Sequence, residues 1–368
     1  MMALRVFAFV VGLVAAASTF SSAVRTVVVP RAQALFLQRV AFTCMRGLFT
    51  PALNRATRWE DRHRVLSYYA PFSLVLLPIA WIGLITMAFA PMYWAIGTDS
   101  WRDAFLISGS SVTTLGFAST GGDWPGTILS VSEAVVGLIL VALLISYLPT
   151  MYSLFSRREQ TVSYMAVRAG TPPSGVGLLE RLYRIGDSSD LVEIWIHFEL
   201  WFNELAETHT SFTALPLFRS PNPARSWITT GGAVLDAAAL RLSVLDEPSD
   251  PRCALCLRAG YSALRDIASA YRIEVPQDPQ PNDPISVARE EFDTAVARLE
   301  SDGLAVVADR EQAWRDFQGW RVNYDVPLLI LSALVSAPYA PWSSDRSLRT
   351  QRPTTRSLVL PLRRRSVG

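Results

Sequence analysis

The run Ser108-Gly-Ser-Ser-Val-Thr-Thr-Leu-Gly-Phe-Ala-Ser-Thr120 lies between two long apolar segments. Its chemistry is that of oxygen donors. Thr114 offers a carbonyl and a hydroxyl, and Gly116 permits the backbone conformation that turns its carbonyl inward. Carbonyls facing a common axis replace the hydration shell of a bare cation. Irregular backbone at membrane depth is tolerated only where protein surrounds it or where it lines a cavity. One such loop per chain therefore needs further copies of the chain around one axis.

Elsewhere the candidate chemistry is thinner. Glu193, His197 and Glu204 fall on one face of a helical pattern, with Glu207 and His209 beyond. Such a set builds either a metal or acid–base site or a solvated polar stripe. Cys253 and Cys256 form C-x-x-C, a redox or metal motif in some settings and a pair of small buried hydrophobes by default. Cys44 is the third cysteine, so no disulfide framework is expected, and with three histidines in the chain a structural zinc site is disfavoured. Asp236 sits among small residues in Gly231–Ala239, where it faces a partner helix or is simply packed. No nucleophile–base–acid constellation is present, and the chain is not expected to be an enzyme.

The elements that must position the 108–120 run are apolar. Half of the 368 residues are hydrophobic and 18% are charged, a balance that points to membrane segments. All 34 basic residues are arginine, which we read as coding bias and not as chemistry. Three segments are long enough to span: Val6–Val24, Ala70–Ala90 and Ile128–Leu148. The first also fits a secretory signal peptide. Arginine placement favours a span. Eight arginines lie between Arg25 and Arg64, Arg102 alone is basic between the second and third segments, and Arg157, Arg158 and Arg168 follow the third. The positive-inside rule then puts the N-terminus outside and everything past residue 155 in the cytoplasm. Residues 33–56 mix apolar and basic side chains and fit either a helix in the inner interface or a plain connecting helix.

Trp101–Gly109 is apolar enough to re-enter the membrane, with Ser100 as its cap. A short helix of this kind points its C-terminal dipole at the centre of the assembly. Phe117 is expected to pack outward against this helix near Trp101. In the third span, Glu133 lies near the start, Gly137 is a hinge or a close-packing position, and Pro149 makes a bend or ends the span.

Over residues 68–158, about a quarter of the chain, this pattern resembles the pore-loop (two-transmembrane-type) potassium channels, whose filter reads T-x-G-[YF]-G. The resemblance implies a filter at Thr113, Thr114, Leu115, Gly116, Phe117 and Ala118. It also implies an inner helix carrying Glu133 and the hinge Gly137, with Trp101 and Glu133 as pore supports. Two positions depart from the family pattern. Ala118 stands at the second filter glycine, where a positive φ would cost about 1 kcal/mol or more. Ser119 stands where an aspartate usually follows, with Asp123 four residues on. Strict potassium selectivity and a relaxed cation selectivity both stay open.

Past Ser156 the composition shifts to charged and loop-forming residues, and clusters of Pro, Ser and Asn separate helical patterns at Asp190–Thr208, Ser226–Leu245, Cys253–Tyr271, Ser286–Leu299 and Val306–Val322. The expected region is an all-α bundle of about 175 residues. Leu328–Ala337 is apolar but too short to span. The family's β-sandwich and nucleotide-binding regulatory domains have no counterpart here. After Ser343 seven arginines face one acid, a tail expected to be disordered and suited to anionic lipid more than to nucleic acid.

The expected fold is an all-α membrane protein with a tetrameric helix–pore loop–helix core, an extra N-terminal span and an all-α cytoplasmic domain. Its parts are residues 1–67 (N-terminal span and basic connector), 68–158 (pore domain), 159–342 (helical domain) and 343–368 (basic tail). The expected function is that of a passive cation channel subunit in the cell membrane, a homotetramer with no cofactor beyond the permeating potassium or other monovalent cation. The alternative is a membrane-anchored scaffold or sensor working through the helical domain.

Overall fold

The three apolar runs become helices longer than a bilayer requires. The computed structural model describes residues 2–27, 47–185 and 188–346. In order, α1 is Met2–Val27, α2 is helical over 47–55, α3 is Trp59–Ile96, α4 is Trp101–Val112 and α5 is Trp124–Ala169. Then come α6 (Gly175–Ile185), α7 (Ser188–Ser211), α8 (Trp227–Val244), α9 (Pro251–Ala270), α10 (Arg289–Ser301), α11 (Arg310–Arg321) and α12 (Asp325–Leu334). Among the described residues the sole extended pairing is an isolated bridge between Leu245 and Val306. The fold of the described residues is thus all-helical, and α1, α3 and α5 are long and apolar enough to cross a membrane. That marks it as a membrane protein.

The chain divides into two units: Met1–Pro51 with Tyr68–Ser153, and Ala52–Ser67 with Leu154–Gly368. In the first, α1 runs antiparallel along α3. Arg5 lies over the Trp94 ring, and Gly12 meets Ala88 and Met92. A core of Leu77, Trp81, Ile85, Phe89 and Tyr93 from α3 joins Ile107 and Val112 from α4 and Leu140 from α5. The prolines of α3, Pro71, Pro78 and Pro91, do not interrupt it. Pro149 does not end α5 either, which continues to Ala169. The third apolar segment is therefore the first part of a 46-residue helix, more than twice the ~20 residues that cross hydrocarbon.

In the second unit a single core gathers α6 to α12. Its five expected helices form within a few residues of their expected ends. The short apolar run near Leu328 is α12, which buries Leu328, Leu329 and Leu331. Helix α6 was not expected from the sequence, although Val176, Leu179 and Tyr183 recur at helical spacing, and Val176, Leu178 and Leu179 are buried. Ala52–Ser67 joins this unit through Trp59, whose Nε1 donates to the Pro223 carbonyl at 3.0 Å, and through His63, whose Nδ1 accepts from Arg219 Nε at 3.1 Å.

Two expectations fall partly or wholly outside the described residues. Of the proposed interfacial segment 33–56, only 47–56 is described, and 47–55 is helical. Cys44 and the tail beyond residue 346 are also outside. Arg346 itself belongs to the fold and not to a loose tail. Its guanidinium pairs with Glu291 at 2.8 Å and donates to the Ser286 carbonyl at 2.6 Å.

Candidate functional site: the loop after α4

Helix α4 forms where expected. Ser100 caps it, its Oγ accepting from the Asp103 N–H at 3.0 Å. The helix ends in a Schellman motif. Thr113 is the C-cap, the Thr114 N–H donates to the Ser111 carbonyl at 2.9 Å, and the Leu115 N–H donates to the Ser110 carbonyl at 3.0 Å. That motif places Thr114 in the left-handed region, at φ 56°. A β-branched residue there is strained by about 1–2 kcal/mol. Thr114 is therefore not part of an extended run. The Thr114 hydroxyl donates to the Thr113 carbonyl at 2.7 Å, and the Thr113 hydroxyl donates back to the Gly109 carbonyl at 2.6 Å.

Gly116 has φ 69°, the conformation for which glycine is suited. Ala118 does not share it. No positive φ occurs there, so the expected cost of alanine does not arise. Its N–H instead donates to Ser110 Oγ at 3.0 Å, which folds the loop back on α4. Phe117 does not pack on Trp101. It is 65% exposed in the single chain, and Trp101 stacks on Trp94 with centroids 5.1 Å apart. Thr113 to Phe117 are all exposed, whereas the residues just before them, Ser110 to Val112, are buried.

What anchors the loop lies behind it. Glu133 on α5 is 0% exposed. Its Oε2 accepts from Tyr93 Oη of α3 at 2.9 Å, and its Oε1 meets Ser108 Oγ of α4 at 2.5 Å. Ser108 Oγ also lies 3.0 Å from the Thr86 carbonyl of α3. Ser111 of α4 meets Ser130 of α5 at 2.8 Å. One carboxyl group and a few hydroxyls thus tie three helices together, each polar atom satisfied where water is excluded. Sequence reading marked Glu133 but missed Tyr93, Ser108, Ser111 and Ser130, whose types carry no signal of their own in an apolar segment.

Gly137 lies inside uninterrupted α5. A Cβ placed there would fall 1.9 Å from the Val112 carbonyl oxygen and 2.8 Å from its carbon. Close approach of the α4 terminus accounts for this glycine.

The other candidates disperse. Glu204 pairs with Arg157 at 3.1 Å, and the His197 ring lies on Tyr164 with centroids 4.7 Å apart. His209 is buried against Trp227, with its Nδ1 3.0 Å from Thr208 Oγ1. No group of three or more His, Cys, Asp or Glu that could hold a metal occurs among the described residues. Cys253 and Cys256 are free and fully buried, and burial pushes both thiols up, away from the reactive thiolate. Asp236 does face a partner helix. It bonds to the buried Arg321 and accepts from Tyr324 Oη at 2.9 Å, while Arg321 Nε reaches Asp325 at 2.8 Å. Arg158, expected only as an inner-face charge, is buried and donates to the Leu215 and Phe218 carbonyls at 3.0 and 2.8 Å.

No protein-family model, curated protein or solved structure matches this chain.

Proposed function

We propose that the chain is the subunit of a passive, potassium-conducting cation channel. Four copies surround one axis, with the N-terminus outside and the helical unit in the cytoplasm. Ions are coordinated by backbone oxygens of Thr113 to Ala118, and the cell membrane is the site of action. One observation carries the reading: an irregular, glycine-containing loop leaves the C-terminal end of a short helix held between two long apolar helices. Its donor residues are exposed while its supports are buried.

Three further features support it. Most of the apolar window of α5 is unburied within one chain, at 22% buried, which leaves surface for neighbouring copies and lipid. The dipole of α4 puts partial negative charge at its C-terminus, where Thr113 begins, and this favours a cation there. The left-handed φ of Thr114 is strain of the kind that collects at working sites.

The test is flux into liposomes holding the purified protein, comparing potassium with sodium and adding barium as a blocker. Barium-sensitive flux favouring potassium is expected. Gly116→Ala should abolish selective flux while the assembly survives, because φ 69° strains any side chain. Unchanged selectivity in that variant would remove Gly116 from the filter. A chain that runs as monomer or dimer in mild detergent and passes no ions would overturn the channel reading.

A further inference from the structure

In the second unit a small pocket opens at the start of α8. It is lined by Arg219, Ser220, Arg225, Ser226 and Trp227 among others. Ser220 is 3% exposed, and its Oγ has no hydrogen-bond partner. Arg225 Nε is likewise buried and unpartnered, while its NH1 donates to Ser163 Oγ at 3.2 Å. Buried donors left unmade are rare and ask for a cause.

The charge around the pocket is one-sided. Arg219 donates to the Val335 and Ser336 carbonyls at 2.8 and 2.9 Å and to His63 Nδ1 at 3.1 Å. Neither it nor Arg225 pairs with a carboxylate among the described residues. Burial lowers the Arg219 pKa to about 10, the signature of a guanidinium desolvated without a counter-ion.

The helix end adds to this. Ser226 is the N-cap of α8 but makes no side-chain cap bond. The first-turn residues Trp227, Ile228 and Thr229 are 2%, 0% and 1% exposed. The first N–H groups of a helix have no acceptor within it, and they carry the positive end of its dipole.

We propose that this pocket binds a phosphate-type oxyanion, accepting hydrogen bonds from Ser220 Oγ, Arg225 Nε and the leading N–H groups of α8. The ligand is either free phosphate or the phosphate of a lipid headgroup. The chemistry is common to both: several acceptor oxygens with negative charge, at a helix N-terminus flanked by two guanidinium groups that pair with no carboxylate among the described residues. The inference stands apart from ion conduction, because every residue it uses lies in the helical unit.

The experiment titrates the full-length protein in detergent with inorganic phosphate at constant ionic strength, read by calorimetry and by ³¹P line width. Vesicles of phosphatidylcholine with and without phosphatidic acid supply the lipid arm. Saturable binding is expected in at least one arm. Arg225→Gln should weaken it by about tenfold, the order of one charge-assisted bond, and Arg315→Gln on exposed α11 should not. Ser220→Ala guards against a folding artefact. It removes an unpartnered hydroxyl, so the phosphate-free protein should melt no lower than wild type while binding weakens. Binding to phosphatidic acid alone would assign the lipid source. No saturable binding in either arm, or equal binding by all variants, would overturn the proposal and leave the pocket to an ordered water.

Discussion

The carbonyl oxygen of Val112 occupies the place a side chain on Gly137 would need, 1.9 Å from an ideal Cβ. This contact seats the end of α4 directly on the backbone of α5, and the obstacle is backbone that cannot rotate away. Gly137→Ala must therefore push α4 off α5, at a cost of about 1–3 kcal/mol for overpacking. The expected results are a lower melting temperature and reduced flux. A flexible hinge at Gly137 would instead leave the melting temperature unchanged and alter only gating. Thermal melts of the two proteins in the same detergent separate these outcomes.

Glu133 is the common partner of Tyr93 and Ser108. In Glu133→Gln the amide oxygen still accepts from Tyr93, and the amide N–H₂ donates to Ser108, whose own proton goes to the Thr86 carbonyl. That variant should melt close to wild type. Glu133→Leu leaves the buried Tyr93 hydroxyl only its long 3.4 Å contact to Ser111 Oγ and costs about 1–3 kcal/mol. Its flux should lose ion preference as the loop loses its anchor. Equal melting of Glu133→Leu and wild type would show that the carboxyl does not hold α4.

Thr114 trades stability for position. At φ 56° a glycine is relieved of the strain a threonine bears, so Thr114→Gly should stabilise by about 1 kcal/mol. The same change removes a hydroxyl from the loop and frees its backbone, and potassium preference should fall. A variant that is both more stable and equally selective would dismiss the link between this strain and function.

Acid should weaken the helical unit. Burial, with the nearby Arg158 charge, holds His209 well below its ordinary 6.5. Unfolding releases the ring, so between the folded and unfolded values the unfolded chain binds the extra proton. Stability then falls as pH drops below 6.5, by up to about 1.4 kcal/mol per pH unit for one such group. His197 is also lowered, by burial and then by Arg168, so it shares in the slope. Melting of His209→Gln across pH 5 to 7, an interval spanning the ordinary histidine value, should show a shallower fall than wild type. Parallel slopes would contradict the buried-histidine account.

Much of the architecture was legible in order and kind because it rests on local chemistry. Apolar length named α1, α3 and α5, Ser100 before Trp101 named the start of α4, and periodic apolar residues named α7 to α11. Gly116 announced its own positive φ by being the residue that tolerates it. What the chain hid depends on pairs far apart in sequence. Thr114, not Ala118, took the second strained position, because the end of α4 closed a Schellman turn around it. Tyr93 and Glu133, 40 residues apart, met only because α3 and α5 flank α4. Pro149 read as either a bend or the end of the span, and α5 runs on through it, since neighbouring groups can satisfy the carbonyl freed by one missing N–H. Arg346 looked like tail and became an ion-pair partner of Glu291. Residue types and short spacings determined which segments are helical and where the loop must turn. Tertiary packing alone decided which polar groups are buried together, because a hydrogen bond across helices has no period to read.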